Sequence, residues 1–422
     1  MVIDLMDEKN NSIYTEWRTP PCLSLLKNSA QQYAWGDTKG IIPFVEAELR
    51  PGYPIGEVWM GSHERAPSKI ILDDSEFALD TLIKQDSAHW LGDHISKKYN
   101  ELPFLFKVLA AASPLSLQVH PNLEQAKIGF AKEESAGIGR LAPERTFKDP
   151  HHKPELAVAL TSFQAMAGFR SIYEICSLLG HSLCDSLEFK GKDKSELRSL
   201  IKRLFCVRGE EYLALETELH ARAEQLLHSE QKTARDAAHW VLELQSRYPG
   251  DPGQFAPLFL DLLQLEPGQG LFVPAGVIHS YLKGSILEIM ACSDNVIRAG
   301  LTVKHIDVDL LCNIVDLETK PLLILPEYQR FDWGIHVIYK TPAKEFRLES
   351  IEVNSSASSS SITITSGGPK IFLCTKGSFR LHNGEQLELP ARKSCFAAGS
   401  CGQLELKGEG KLWIAAVGEI DT

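Results

Sequence analysis

Glu266-Pro-Gly-Gln-Gly-Leu-Phe-Val-Pro-Ala-Gly-Val-Ile-His279 is the stretch from which the architecture is read. Gly268, Pro274 and Gly276 punctuate a short apolar run at the offsets of a β-barrel turn-and-strand unit, one that delivers the following histidine to a barrel mouth. Two distant segments lead to the same place: Leu115-Ser-Leu-Gln-Val-His120-Pro-Asn122 and His151-His-Lys-Pro-Glu155. Residues two apart on a strand share a face, so Gln118 and His120 reach one point while Val119 faces the opposite layer. Gln118, His120, Glu155 and His279 are therefore read as the ligand set of one metal ion. A carboxamide oxygen, two imidazoles and a carboxylate suit zinc, iron, manganese, cobalt or nickel. The lack of thiolate ligands argues against a purely structural zinc.

Working outward, Tyr53-Pro-Ile-Gly-Glu-Val-Trp-Met60 and Leu102-Pro-Phe-Leu-Phe-Lys-Val-Leu109 read as barrel strands among functional loops. Near Ser171 the composition turns to Leu, Ala, Glu and Gln. Leu213, Leu219, Leu226, Leu227, Trp240, Val241 and Leu244 fall close to helical spacing, which marks a helical insertion. Pro249-Gly-Asp-Pro-Gly253 breaks it, one more short helix follows, and Glu266-Pro-Gly268 opens the return to strands. Asn354 to Ser361 is a serine-rich loop or linker. Ile362 to Val417 reads as strand, turn and strand, with Asn383-Gly384 as a hairpin signal. It holds a single histidine, His382, so a second metal site there is not expected. The fold class is thus mainly β with a helical insertion. The division is a metal-binding barrel over 23–168 and 266–325, helices over 169–265, and a smaller metal-free barrel over 326–422.

A chain of 422 residues is long for one core. Its formal net charge of −11 excludes a general nucleic-acid binder, which needs a basic face, but leaves room for an anionic small substrate in a locally basic cleft. Met1 to Asn10 carries Asp4, Asp7 and Glu8 and no apolar run fit for a leader or membrane span, so a cytoplasmic location is expected. Nine cysteines without a C-x-x-C pair read as reduced, mostly buried thiols. Oligomeric state, monomer or weak homodimer, is not encoded legibly.

Charge gathers around the ligand segments. Ser293-Asp-Asn-Val-Ile-Arg298-Ala-Gly-Leu-Thr302 leads into Val303-Lys304 and brings Asp294, Arg298 and Lys304. Lys107 ends an apolar strand, and Lys153 stands two residues from Glu155. Surface ion pairs are the ordinary fate of such charges. Glu57 and Trp35 are second-tier candidates, because a Trp beside Gly more often packs a barrel corner than stacks on a sugar.

These segments together resemble the type I phosphomannose isomerases of the cupin superfamily. The motifs that carry the resemblance are Gln32-Tyr-Ala-Trp-Gly36, Glu57-Val-Trp-Met-Gly61, Leu102 to Leu109, Leu115 to Asn122, His152-Lys-Pro-Glu155, Tyr281-Leu-Lys-Gly284 and Met290 to Thr302. The resemblance implies two cupin-type (jelly-roll) barrels and one zinc ion per chain on Gln118, His120, Glu155 and His279. It also implies Arg298 as the catalytic arginine, and interconversion of mannose 6-phosphate and fructose 6-phosphate, a step that feeds mannosylation or glycolysis. Two departures stand out. Val303 replaces a usual Pro before Lys304, which removes a fixed φ, and Ala34 replaces an acidic residue before Trp35.

Such chemistry opens the sugar ring and moves a proton between C1 and C2 through an enediol(ate), whose charge needs a metal or cationic donors. Lys153, Lys107, Glu288, Asp294 and His152 are the proton-carrier candidates, and His152 or Asp294 could assist ring opening. Ser116 with Lys107, Arg298 or Lys304 would hold phosphate, and Tyr281, Glu57 and Trp35 line the substrate. An iron oxygenase and a sugar-phosphate sensor are the rival readings, and the local lysines and arginines suit a phosphosugar better than the first.

Overall fold

The structure, a computed structural model, describes residues 20–45, 52–72, 75–140, 142, 144–365 and 367–418. The segment Met1–Asn10, on which the expected lack of a leader rests, lies outside them. Among the described residues no helix is long and apolar enough to cross a membrane.

The molecule is mainly β. Two eleven-stranded antiparallel sheets carry helices at their margins, and neither sheet closes on itself among the described residues. The sheet that concerns the site is organised by one strand, His279–Ala291. Its second half runs between Phe104–Ala111 and Glu155–Ala159, and its first half pairs with Gln118 and with Phe163–Phe169. The change of partners falls at Gly284. Its φ of +112° suits glycine, and a Cβ there would stand 2.5 Å from the Ser162 carbonyl oxygen. Gly270–Val273 follows a turn at Gly268 (φ +92°), and Gly276 (φ +85°) donates its N–H to the His120 carbonyl at 2.7 Å. The turn-and-strand unit read from the sequence is present.

The helices begin where the composition changes. Ser171 caps Ile172–Ser186, with its hydroxyl on the Glu174 N–H and the Glu174 carboxylate returning to the Ser171 N–H. Glu196–Cys206, Gly209–Leu227 and Lys232–Arg247 follow. In Gly209–Leu227, Leu213 is exposed, and Tyr212, Leu215, Leu219, Ala223 and Leu226 form the buried face. Strand structure also returns earlier than Glu266, because Leu260–Leu265 pairs with Phe163–Phe169. The insertion thus leaves at Phe169 and re-enters at Leu260, its hydrogen-bonded neighbour. Val119, Met166 and Ile297, on the back of the ligand strands, share one buried cluster with Leu200, Leu219 and Trp240 of the helices. The helices are the apolar wall behind the site.

The second sheet holds the C-terminal strands, including the hairpin at Asn383-Gly384, where Gly384 has φ +70°. It also takes Leu23–Lys27, Lys69–Leu72 and Ser75–Ala78, which the sequence division had grouped with the metal-binding half. Leu23 and Leu26 stand three apart and are buried in different clusters on the two sides of the strand, and neither says which sheet supplies the partner strand. His336 lies in this sheet too, tied to Glu349 at 2.8 Å. All nine cysteines are free, but only Cys374, Cys395 and Cys401 are buried, fewer than expected, and Cys206 is exposed.

Candidate active site

Strand register places the site residues in rows. Gln118 is opposite His279 on one side and Arg298 on the other. Glu155 enters between Val273 and Met290. As a result His120 Nε2 lies 3.3 Å from Glu155 Oε1, and His279 Nε2 lies 3.2 Å from Glu155 Oε2. The ligand atoms of these three residues all fall within 4.8 Å of one another, and none of the residues is more than 1% exposed. The Gln118 amide stands 3.5 Å from His279 Nε2, and a half-turn of that amide presents its oxygen to the same point.

The outer nitrogens fix what the inner ones can do. His120 Nδ1 meets the Asn295 carbonyl at 2.7 Å, and His279 Nδ1 meets the Val277 carbonyl at 3.0 Å. A carbonyl only accepts, so each Nδ1 carries the proton and each Nε2 turns a lone pair inward. A lone pair and a carboxylate oxygen cannot satisfy each other, and His120 Nε2 is buried with no hydrogen-bond partner. Burial and the Lys153 ammonium hold the His120 pKa at about 4, so the ring is neutral at pH 7. Burial opposes ionisation of Glu155, but the Lys153 ammonium overcomes it and keeps the carboxyl well below its ordinary range. A cation among these acceptors resolves the conflict, and the N/O donor set fits zinc.

A second row crosses the neighbouring strands, with Lys107 opposite both Trp59 and Glu288. Its ammonium lies 3.0 Å from Glu288 Oε2, 3.6 Å from Glu57 Oε1 and 5.2 Å from the Trp59 ring centroid. Burial works against that charge, but Glu57 and Glu288 hold the lysine protonated far above its usual range. Lys107 is thus a donor and not a base. Burial raises the Glu288 carboxyl, with Lys107 opposing. Lys153 rests on Glu155 Oε1, and the buried Tyr281 hydroxyl stands 3.4 Å from Oε2. Three carboxylates face two ammonium groups, all at most 8% exposed. The cluster lacks positive charge, which a divalent cation supplies.

The rim is basic. Arg298 is half-buried, with no carboxylate at ion-pair distance among the described residues, and burial lowers its pKa. Lys304 is exposed, and nearby Arg298 disfavours its charge. Ser116 is half-buried beside Leu117, whose N–H bonds the Gly300 carbonyl. Asp294 is held by His63 Nε2 at 3.4 Å and Arg65 Nη1 at 3.3 Å. Burial raises its carboxyl, but those partners bring it down to about 2. His152 is not drawn into the cluster; its Nε2 meets Glu345 at 2.8 Å. Trp35 stacks on Tyr33 and lies against Gly56, where a Cβ would come within 2.4 Å of the indole. Val303 is fully exposed and Ala34 is exposed.

Sequence reasoning gave no role to Asn295, Asp149, His63, Arg65 or Trp59. Asn295 orients His120 through its carbonyl, while its side chain gathers the Lys148 N–H and the Asp149 and His151 carbonyls. Its place inside the charged Ser293–Thr302 motif was the available signal. His63 and Trp59 stand in the Glu57 motif, but only the fold brings them to Asp294 and Lys107.

Residues 23–172 match the family model of the phosphomannose isomerase type I catalytic domain. Mannose-6-phosphate isomerase from Escherichia coli (strain K12) is 38% identical over 397 residues, covering 92% of this chain and 97% of its own. The Homo sapiens counterpart is 35% identical over 363 residues, covering 78% and 81%. Among solved structures, a zinc-bound holo mannose 6-phosphate isomerase matches with TM-score 0.84 at 34% identity, covering 94% of this chain and 100% of that one. A mutant of phosphomannose isomerase from Salmonella typhimurium matches with TM-score 0.84 at 33% identity and the same coverage. The chain belongs to the type I phosphomannose isomerase family.

Proposed function

We propose that the protein interconverts mannose 6-phosphate and fructose 6-phosphate, with one zinc ion held by Gln118, His120, Glu155 and His279. The observation that carries this reading is the buried His120–Glu155–His279 cluster, whose inward atoms are all acceptors. Zinc, when bound, supplies redox-inert polarisation of a sugar oxygen. Arg298, in the row beside Gln118, faces charge that develops on the enediol(ate) oxygens. Lys153, two residues before a ligand and on its face, is the proton carrier favoured by position, with Glu288 behind it. Lys107, kept protonated, donates to substrate oxygen, and Glu57, Glu288 and Tyr281 hold it and the ligands in place. Ser116 and Lys304 receive the phosphate through charge-assisted hydrogen bonds. Asp294 accepts a proton in ring opening, and Trp35 walls the sugar.

The architecture belongs to the same proposal: cupin-type barrels over 23–168 with 266–325 and over 326–422, the second metal-free, and helices over 169–265, in a cytoplasmic enzyme. A curl in the central strand supports a barrel around the metal. Met290 pairs with Glu155 in register, yet His279 also reaches the Glu155 carboxylate. Eleven extended residues would span roughly 36 Å.

A coupled assay tests the function. Mannose 6-phosphate is supplied and fructose 6-phosphate followed before chelation, after it, and after zinc add-back. Chelator-sensitive turnover restored by zinc is expected. No turnover in zinc-loaded protein would overturn the reading in favour of a sensor.

A further inference from the structure

Asp294 is anchored from two sides. Its N–H donates to Asp149 Oδ2 at 2.8 Å, and Asp149 Oδ1 accepts from Ser293 Oγ at 2.8 Å and from Asn295 Nδ2 at 3.1 Å. Asn295 in turn receives His120 Nδ1. The main chain at Asp294 is therefore in fixed register with a metal-site residue. On the other side, His63 Nε2 and Arg65 Nη1 both approach the same oxygen, Oδ1. The Arg65 N–H donates to His63 Nδ1 at 3.3 Å, which leaves Nδ1 as the acceptor and puts the ring proton on Nε2, toward Asp294. The His63 ring packs edge-on to Trp59 at 4.8 Å, and Arg65 lies over the same indole at 5.6 Å. The indole is itself fixed by its N–H to Glu57 Oε2 at 2.6 Å. His63 is 6% exposed, although it touches no ligand of the metal cluster.

We propose that His63 and Arg65 are positioning residues that occupy Asp294 Oδ1 and so present Oδ2 to the hemiacetal hydroxyl of the cyclic sugar phosphate. The proposal rests on the isomerase reading above. In the step it serves, the C1 hydroxyl proton passes to Asp294 Oδ2 and the O–H electron pair becomes the C1=O π bond. The C1–O5 pair leaves to O5, which takes a proton from water. Asp294 then returns its proton to the hydroxide so formed. Without its two donors the carboxylate is free to rotate, and either oxygen can turn from the sugar.

The test compares wild type, His63→Ala, His63→Gln and Arg65→Met on mannose 6-phosphate, with zinc content measured for each. Gln retains an N–H close to the position of His Nε2, and Arg65 has a half-exposed side chain whose replacement by Met keeps the stem on Trp59. A roughly tenfold to hundredfold fall in kcat is expected for His63→Ala, part of the roughly 10²–10⁴-fold that one positioned proton-transfer group contributes. KM should stay within about twofold, zinc should stay full, and His63→Gln should recover most of the loss. Arg65→Met should fall by a smaller factor in the same pattern. Unchanged kcat in both His63→Ala and Arg65→Met would overturn the proposal, as would a His63→Ala loss that His63→Gln does not recover. Should His63→Ala fail to fold, Arg65→Met and His63→Gln decide alone: an unchanged Arg65→Met kcat overturns the proposal. An inactive wild type would instead condemn the isomerase reading.

Discussion

Replacing Lys107 with Met isolates the buried charge network from the metal chemistry. Met nearly matches the lysine stem, so little packing is lost. What disappears is an ammonium 3.0 Å from Glu288 and 3.6 Å from Glu57. At an effective dielectric of about 20 each contact is worth roughly 5 kcal/mol of gross attraction. Desolvation consumes most of this, but removing one partner strands two buried carboxylates, which costs about 3–5 kcal/mol. The protein can reduce that cost by protonating Glu288, whose carboxyl burial already raises. A group raised in the folded state contributes stability below its unfolded value, near 4.5, and loses it as pH rises through the folded value. Lys107→Met should therefore be most destabilised near pH 8 and regain stability toward pH 5. Adding Glu288→Gln should restore about 2 kcal/mol at pH 8 and remove that slope. Urea denaturation at both pH values measures this. A single variant within about 1 kcal/mol of wild type at both pH values would refute the reasoning.

The other expectations concern the ligands and the rim. His279→Ala should lose zinc, measured by elemental analysis after dialysis, and activity should fall with it; full zinc occupancy would remove His279 from the ligand set. Arg298→Ala should keep its zinc while kcat falls by about a hundredfold or more, the scale of one lost charge-stabilising donor, and near-normal kcat would remove it from the mechanism. Asp294 has a carboxyl lowered from 3.8 to about 2, so its contribution is present above pH 4 and lost as pH falls toward 2. Asp294→Asn should accordingly show a shallower fall of Tm with acid than wild type, and parallel curves would contradict the anchoring by His63 and Arg65.

Much of this site follows from local periodicity. Gln118 and His120 stand two apart and share a face, as do Lys153 and Glu155, which meet. His152 precedes the strand Glu155–Ala159, and its ring turns to Glu345 instead of joining the cluster. What periodicity cannot supply is the identity of a distant partner. Leu23–Lys27 has an apolar face in any sheet, and only the competition among all strands assigns it to Ser394–Ala397. His63 and Asp294 are separated by more than half the chain, and neither side chain announces the other. Helical spacing that includes Leu213 marks a helix without giving its buried face, for a related reason. Leucines occur on both sides of that helix, and burial follows the neighbours it packs against.

The motif Tyr281-Leu-Lys-Gly284 shows how a family signature becomes geometry. Tyr281 sends its hydroxyl toward Glu155, and the pairing register with Phe163–Phe169 breaks between Tyr281 and Lys283. Gly284 then passes so close to Ser162 that no side chain fits. Through this bend one strand contributes His279 to the metal row at one end and Glu288 to the lysine row at the other, both rows within reach of Glu155. A straight strand would hold the two rows roughly 30 Å apart, nine residues at about 3.3 Å each. Each charge could then be solvated separately, and no acceptor would lack a donor. The curl brings the carboxylates together and leaves the cluster short of positive charge, which favours a cation there. Backbone curvature and the local shortage of positive charge are in this sense linked, and Gly284 stands where the strand changes partners.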